Sequence, residues 1–245
     1  LDAANKRSIE FPYNYTIWKD GQTGAVGEFS TFSTNNERVT ATDPFGNNIV
    51  VWKSSNSNDG TNVSGGGIYH NRHPIDNTKM YRMSFWEKRV SNSQNEGYCR
   101  YYFGMNGFES KTSSTKSAAS GVFNRDNNIL NQNPYFWNSV NIGATNLPLT
   151  SDNQLPLDVW TLVVGHIWPA GSGTGDNHPD SGLYTTDGRI DDIYRDFVWR
   201  NETRYARIRN IGVHSNKNVP PVGDQTGAVH YTAYPRLDII DGTEP

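Results

Sequence analysis

Apolar and polar side chains alternate with a period of two along much of the chain, and that period belongs to β-strands. It predicts strands over Val26 to Phe32, Glu37 to Thr42, Asn48 to Ser54, Met80 to Arg89, Tyr98 to Gly104, Val159 to Trp168, Arg195 to Trp199, Tyr205 to His214 and Ala228 to Ile240. The intervening stretches are turn clusters, and the chain holds 28 Asn, 23 Gly and 12 Pro, which favour turns or break helices. Long helices have little room. Such a series predicts an all-β, antiparallel β-sandwich of jelly-roll type.

The same alternation assigns faces. In Met80 to Arg89, Tyr81, Met83 and Phe85 fall on one side, with Arg82, Ser84, Trp86 and Lys88 on the other. In Tyr98 to Gly104, Cys99, Tyr101 and Phe103 oppose Tyr98, Arg100 and Tyr102. From Val229 to Ile239 the odd positions read as core and the even ones, His230, Thr232, Tyr234, Arg236 and Asp238, as wet. Pro235 cannot donate to a ladder, so it predicts an edge, a bulge or a junction of two strands. Trp160 to Ile167 is apolar on both faces and predicts a central strand. Asn106 to Gln132 and Pro169 to Asp192 show no clear period and read as long loops, which are uncommon unless they bind something or pack on a neighbour. Asp43-Pro44-Phe45-Gly46-Asn47 reads as a tight turn, with Pro setting φ and Gly admitting a positive one.

Composition narrows the function classes. At 245 residues the chain can bury a full core, and its aromatic content of 12% excludes a disordered chain. No apolar run approaches the roughly 18 residues that a membrane helix needs, so membrane insertion is not expected. The formal charge of −3 offers no global positive field, which argues against nucleic acid as a partner. A lone cysteine, Cys99, excludes an intramolecular disulfide framework and a multi-cysteine zinc site, and its inward phase makes it a small buried hydrophobe. Residues 1–10 read as a linker or processed segment, and 11–245 as a single recognition domain.

Several segments resemble a known family in order along the chain. They are Thr42-Asp43-Pro44-Phe45-Gly46-Asn47 with Val50-Val51-Trp52, Gly65-Gly66-Gly67, Met80-Tyr81-Arg82-Met83-Ser84-Phe85-Trp86, and Tyr102-Phe103-Gly104. Further on come Asn133-Pro134-Tyr135-Phe136, Trp160-Thr161-Leu162-Val163-Val164-Gly165-His166, His178-Pro179-Asp180-Ser181-Gly182-Leu183-Tyr184, Tyr234-Pro235-Arg236-Leu237-Asp238 and Asp241-Gly242-Thr243-Glu244-Pro245. Together they resemble the concanavalin-A-like, lectin/glucanase-type domains of phage tail-fibre and other virion or extracellular structural proteins. The resemblance implies a β-sandwich that recognises glycan on a virion fibre or other extracellular assembly. It carries over no catalytic residues.

A saccharide site wants flat rings to stack on the C–H faces of a sugar, with fixed polar groups beside them. The outward sets Arg82 and Trp86, Tyr98, Arg100 and Tyr102, and His230, Tyr234 and Arg236 supply both, with His166 at the end of the most apolar strand as a cleft residue. The competing interpretation buries those rings in the core or in a subunit interface. Cleavage of a uronic-acid polysaccharide by β-elimination would need a His or Tyr base and an Arg beside the carboxylate. His70, His73, His166, His230, Tyr69, Tyr102 and Arg100 form that inventory. The paired Arg/Glu strand and Gln-x-His of jelly-roll alginate lyases are missing, as is the Glu-x-Asp-x-x-Glu of the related glucanases. Asp176, Asp180 and Asp187 sit in one acidic span, and oxygen ligands of that kind would take a structural calcium, although the spacing matches no EF-hand.

These features together predict a non-catalytic carbohydrate-binding or host-surface recognition domain of a virion or extracellular assembly. Its expected partner is a cell-surface or extracellular polysaccharide, its expected cofactor none beyond that calcium, and its expected assembly a homo-oligomer, with a trimer suited to a fibre. A uronic-acid polysaccharide lyase is the alternative, and a purely structural subunit the second alternative.

Overall fold

A computed structural model describes residues 30–31, 36–55, 65–69, 72–90, 100–112, 121–138, 155–214 and 228–240. The described residues contain strands and no helix, so no helix among them is long and apolar enough to cross a membrane. The expected linker at 1–10, most of the strand expected at Val26 to Phe32, Tyr98 and Cys99 lie outside them.

In chain order the strands are β1 (Ser30–Thr31), β2 (Asn36–Thr42), β3 (Asn48–Ser55), β4 (Gly65–Tyr69), β5 (His73–Pro74), β6 (Met80–Val90), β7 (Arg100–Phe108) and β8 (Val122–Asn124). They continue with β9 (Leu130–Asn131), β10 (Tyr135–Asn138), β11 (Trp160–Trp168), β12 (Gly182–Thr185), β13 (Gly188–Asp191), β14 (Phe197–Trp199), β15 (Tyr205–His214) and β16 (Val229–Ile240). A smaller sheet has the order β1-β4-β15-β7-β10, with β5 also on β15. A larger sheet has the order β2-β3-β16-β6-β11-β14-β8-β9, with β12 and β13 branching from β11. All pairs are antiparallel except β11 with β14 and an isolated bridge between Arg89 and Leu157. The all-β, two-sheet sandwich expected from the alternation is the observed architecture.

The two stretches expected to be loops carry strands. The first contains the end of β7 with β8 and β9, and the second contains β12 and β13. These elements are two to four residues long, too short for a period to register. As expected, β11 is buried on both faces along nearly its whole length. The turn at Asp43 also forms: the Asp43 carboxylate accepts the Phe45 and Asn47 amides at 2.8 and 2.7 Å, and Gly46 stands at φ +85°.

Between the sheets lies one large apolar core, in which Tyr81, Met83 and Phe85 of β6 meet Tyr101, Phe103 and Met105 of β7 and Ala206 and Ile208 of β15. A second apolar cluster covers the far face of the larger sheet. There the β2–β3 turn folds back, placing Phe45 edge-on to Trp86 at 5.7 Å, and the Trp160 indole donates to the Thr42 carbonyl at 2.9 Å. Burying Trp86 and its neighbours in this way removes from water a face that the alternation marks as outward.

The phase of β16 departs from expectation for a local reason. His230 and Thr232 point into the sandwich, and a bulge between Ala233 and Arg236 inserts one extra residue opposite β6, with Tyr234 at φ +49°. After it Leu237 and Ile239 pack on the inter-sheet core. Pro235 sits in that bulge, beyond Thr232, the last residue paired to β3, so its missing amide breaks no ladder bond on that side.

One polar cluster spans the sheets inside the core. Thr232 donates to Glu87 Oε1 at 2.7 Å, and the Asn210 amide donates to Thr232 Oγ1 at 2.9 Å and to Glu87 Oε1. Burial raises the Glu87 carboxyl well above 4.5, against the lowering effect of the Thr232 and Asn210 hydrogen bonds. A carboxyl raised on folding stabilises the native state fully below its unfolded value and loses that contribution as pH rises through its folded value. Glu87→Gln is therefore expected to gain stability relative to wild type as pH rises from about 4.5, with chemical denaturation across pH as the measurement. A constant difference between the two proteins would contradict the assignment.

Candidate functional site

Residues on β15 alternate between the core and the outer face of the smaller sheet. Ala206 and Ile208 enter the core and Asn210 reaches Glu87, so Arg207 and Arg209 project from the opposite side. Register places Arg209 beside Tyr69 of β4 and Gly104 of β7, and Gly104 in turn beside Tyr135 of β10. A Cβ at Gly104 would stand 2.0 Å from the Pro134 carbonyl oxygen, so glycine there is what lets β10 close against β7. Tyr102 shares this outer face, its ring 4.9 Å from that of Tyr135.

The result is a ladder of cations and rings. Arg72 lies 3.7 Å from the Phe108 ring centre, and Arg207 lies 5.0 Å from Phe108 and 4.5 Å from Tyr69. Arg209 then lies 5.7 Å from Tyr69 and 5.1 Å from Tyr135. Ring faces attract cations, but this compensates only part of the lost hydration. No carboxylate among the described residues pairs with any of the three arginines. Arg72 donates to the Ser110 carbonyl at 2.6 Å, and Arg207 Nε reaches Asn106 Oδ1 at 3.4 Å. Arg209 is only 8% exposed, and its Nε and Nη1 are buried without a hydrogen-bond partner. Burial lowers the Arg207 pKa, and like-charge repulsion from Arg72 and Arg209 adds to it. Burial pushes the Tyr135 hydroxyl up to about 12 against the favourable charge of Arg209, so it stays protonated at neutral pH and donates to Asn133 Oδ1 at 3.2 Å.

The residues expected from sequence to share one face are dispersed. Tyr102 is in the ladder. The backbone of Arg100 begins β7, while its side chain and the whole of Tyr98 lie outside the described residues. Arg82, Trp86, Tyr234 and Arg236 belong to the far face of the larger sheet, on the other side of the core from Tyr102. Trp86 is 3% exposed beneath Phe45, and the Tyr234 hydroxyl is committed to Asp43 at 2.7 Å. Arg82 and Arg236 both pair with Asp238, at 3.4 and 3.0 Å, so each has a counter-ion within the chain. His230 corrects the even-is-wet reading, being fully buried against Tyr101 at 4.7 Å because the bulge reverses the phase of β16. The sequence signal for the ladder is the Arg207-Ile208-Arg209 alternation itself, which sets two like charges on one face.

His166 is structural in its geometry. The buried Asp196 carboxylate accepts the His166 amide at 2.8 Å, the His178 amide at 2.6 Å and the Ser181 hydroxyl at 2.8 Å. Ser181 spends its one proton on Asp196, so His166 Nδ1, 2.8 Å from Ser181 Oγ, carries the proton of that contact. A nucleophilic triad needs the imidazole between serine and carboxylate, whereas here the serine stands between the other two. The cluster ties the loop before β12 to β11. Asp176, Asp180 and Asp187 are exposed along that region, and no three metal-ligating side chains gather among the described residues.

No protein-family model matches the chain, and no curated protein matches it by sequence. One solved structure, that of alginate lyase vAL-1 from Chlorella virus, is similar over 91% of this chain and 100% of that one, at 12% identity and a TM-score of 0.42.

Burial pushes the His166 and His230 imidazoles from 6.5 down to about 3, with the neighbouring charges of His178 and Arg82 adding to the first and that of Arg89 to the second. A base lowered on folding contributes stability that is present above 6.5 and lost as pH falls toward about 3. Stability is expected to fall by about 1.4 kcal/mol per pH unit for each histidine in that window. His166→Asn, which keeps a donor near the Nδ1 position, should remove one histidine's share of the slope, read by denaturant titration. An unchanged slope would contradict the assignment.

Proposed function

We propose that this protein binds an acidic polysaccharide of the uronic-acid class on the outer face of the smaller sheet. The observation that supports this most directly is the row of three guanidinium groups, Arg72, Arg207 and Arg209, interleaved with rings and unanswered by any carboxylate among the described residues. Three like charges held together without a counter-ion are unfavourable, and a carboxylate laid along the row would offset the repulsion among them. Tyr69, Tyr102 and Tyr135 supply ring edges and hydroxyls for the sugar between its charged groups. On this reading the protein acts where such glycans are met, outside the cell.

A second reading uses the same residues for β-elimination. Arg209 would stabilise the carboxylate as a base takes the adjacent C5 proton. The C4–O bond then breaks as the C4–C5 double bond forms, and the departing oxygen takes a proton. Tyr135 favours this reading by its place beside Arg209, its ring centre 5.1 Å from the guanidinium, where its hydroxyl would serve as that acid, although burial raises its pKa and so weakens it as a donor.

Affinity electrophoresis in gels containing alginate, polygalacturonate or hyaluronan tests the proposal, with absorbance of unsaturated uronate products recorded in parallel. Retardation by at least one of these glycans is expected, weakening with added salt, and Arg209→Ala is expected to reduce affinity at least about tenfold, the loss of one charge-assisted hydrogen bond. Retention without product supports recognition alone. Product that disappears in Tyr135→Phe while binding persists supports the lyase. Indifference to all three glycans, or to Arg209→Ala in a folded protein, overturns the site.

A further inference from the structure

A pocket of about 350 Å³ opens where β8 and β14 meet the loop that follows β11. Its floor is apolar: Phe123 and Val198 are paired across β8 and β14 on one face of the larger sheet. Its rim is polar and exposed, with Asn128 on one side and Asn201 and Glu202 on the other. Gly171 and Gly173 form the third wall, and Arg125 behind them holds that loop by donating to the Ser172 and Gly173 carbonyls at 2.9 and 2.6 Å while lying 4.3 Å from the Trp168 ring centre. Gly171 and Gly173 stand at φ +83° and +68°, with open space where a Cβ would project. Bare backbone at the mouth of a cavity lets a ligand approach closely.

The charges differ from those of the arginine ladder. Glu202 and Arg200 form an ion pair at 3.2 Å, and Arg200 lies 5.7 Å from the Phe123 ring centre, so this rim pair is neutral. A neutral ion pair gives an incoming anion no net attraction. It does offer a fixed acceptor beside a fixed donor, and the Asn128 and Asn201 amides each add both kinds of group. Neighbouring hydroxyls on a ring need that mixture, and the C–H face of the same ring suits Phe123 and Val198. The volume lies at the low end for small-molecule sites and admits one ring unit rather than a chain.

We propose that this pocket binds a single neutral pyranose unit, held by the Glu202–Arg200 pair and the flanking asparagine amides above an apolar floor. Its lining shares no residue with the acidic-glycan site, and its rim carries a paired charge where the ladder carries unpaired ones.

Saturation-transfer difference NMR with methyl glycosides of glucose, galactose and mannose tests it. Transfer to at least one glycoside is expected, with affinity about tenfold weaker in Glu202→Gln, the effect of losing one charged acceptor. Asn201→Ala should weaken it in the same direction, and both side chains are exposed, so thermal melts should confirm an intact fold. Retardation by acidic polysaccharide should be the same in Glu202→Gln as in wild type, which separates this site from the ladder. No transfer to any of the three glycosides, or transfer that survives both substitutions undiminished, overturns the proposal.

Discussion

The phase of β15 decides which chemistry this molecule presents, and that phase is held from the inside. Asn210 reaches across the core to Glu87 and Thr232, while Ala206 and Ile208 fill apolar space on the same face. A slip of one residue would send Arg207 and Arg209 into the core and bring Ile208 and Asn210 out. An apolar core alone resists such a slip through packing. The Asn210 contact adds a directional requirement, because a displaced strand would leave the Glu87 carboxyl and the Thr232 hydroxyl buried and short of partners. The arginine ladder on the outside is thus the consequence of a hydrogen-bonded cluster on the inside.

The two outer faces of the sandwich show why arginine content alone does not identify a site. On the larger sheet, Arg82 and Arg236 share the Asp238 carboxylate, and the β2–β3 turn folds Phe45 over Trp86, so the chain itself supplies a counter-ion and a cover for the apolar surface. On the smaller sheet three guanidinium groups face rings and one another. Ring faces supply modest attraction, of about 0.5 to 2 kcal/mol each, against a desolvation penalty of several kcal/mol for a buried ion. The difference is unfavourable to the free protein and is what a bound anion can relieve.

Period-two alternation carried the long strands: β6, β11 and β15 stand where the pattern puts them, and the two-sheet architecture follows from their number and spacing. What it could not carry was the meaning of an outward phase. Trp86 is outward with respect to the inter-sheet core and still buried, because a turn distant in sequence folds over it. His230 is inward because a bulge at Ala233 to Arg236 adds one residue, and nothing in the residues before Pro235 announces which side of the bulge keeps register with β6. Tyr69 with Arg72, Phe108 and Tyr135 come from three separated segments, and only the strand order brings them beside Arg207 and Arg209. Of the residues weighed from sequence, Tyr102 of the binding set, which the elimination inventory also named, and Tyr69 of that inventory share that surface among the described side chains.

Rigid placement follows from the same construction. Arg209 is confined between the rings of Tyr69 on β4 and Tyr135 on β10, across a glycine of β7 that admits no side chain, so the guanidinium loses little further freedom when it meets a ligand. Long cationic side chains on an open surface would each be immobilised on binding, at about 0.5 to 1.5 kcal/mol apiece. Here that ordering is accomplished during folding and is supported by the core beneath. The strain of like charges held together is borne by the native state, and it can be sustained because β15 is anchored on both neighbours, β4 and β7, and through Asn210 to the opposite sheet. A scaffold that permitted β15 to relax would also permit the three cations to separate, and with them would go the preference for an anion over water.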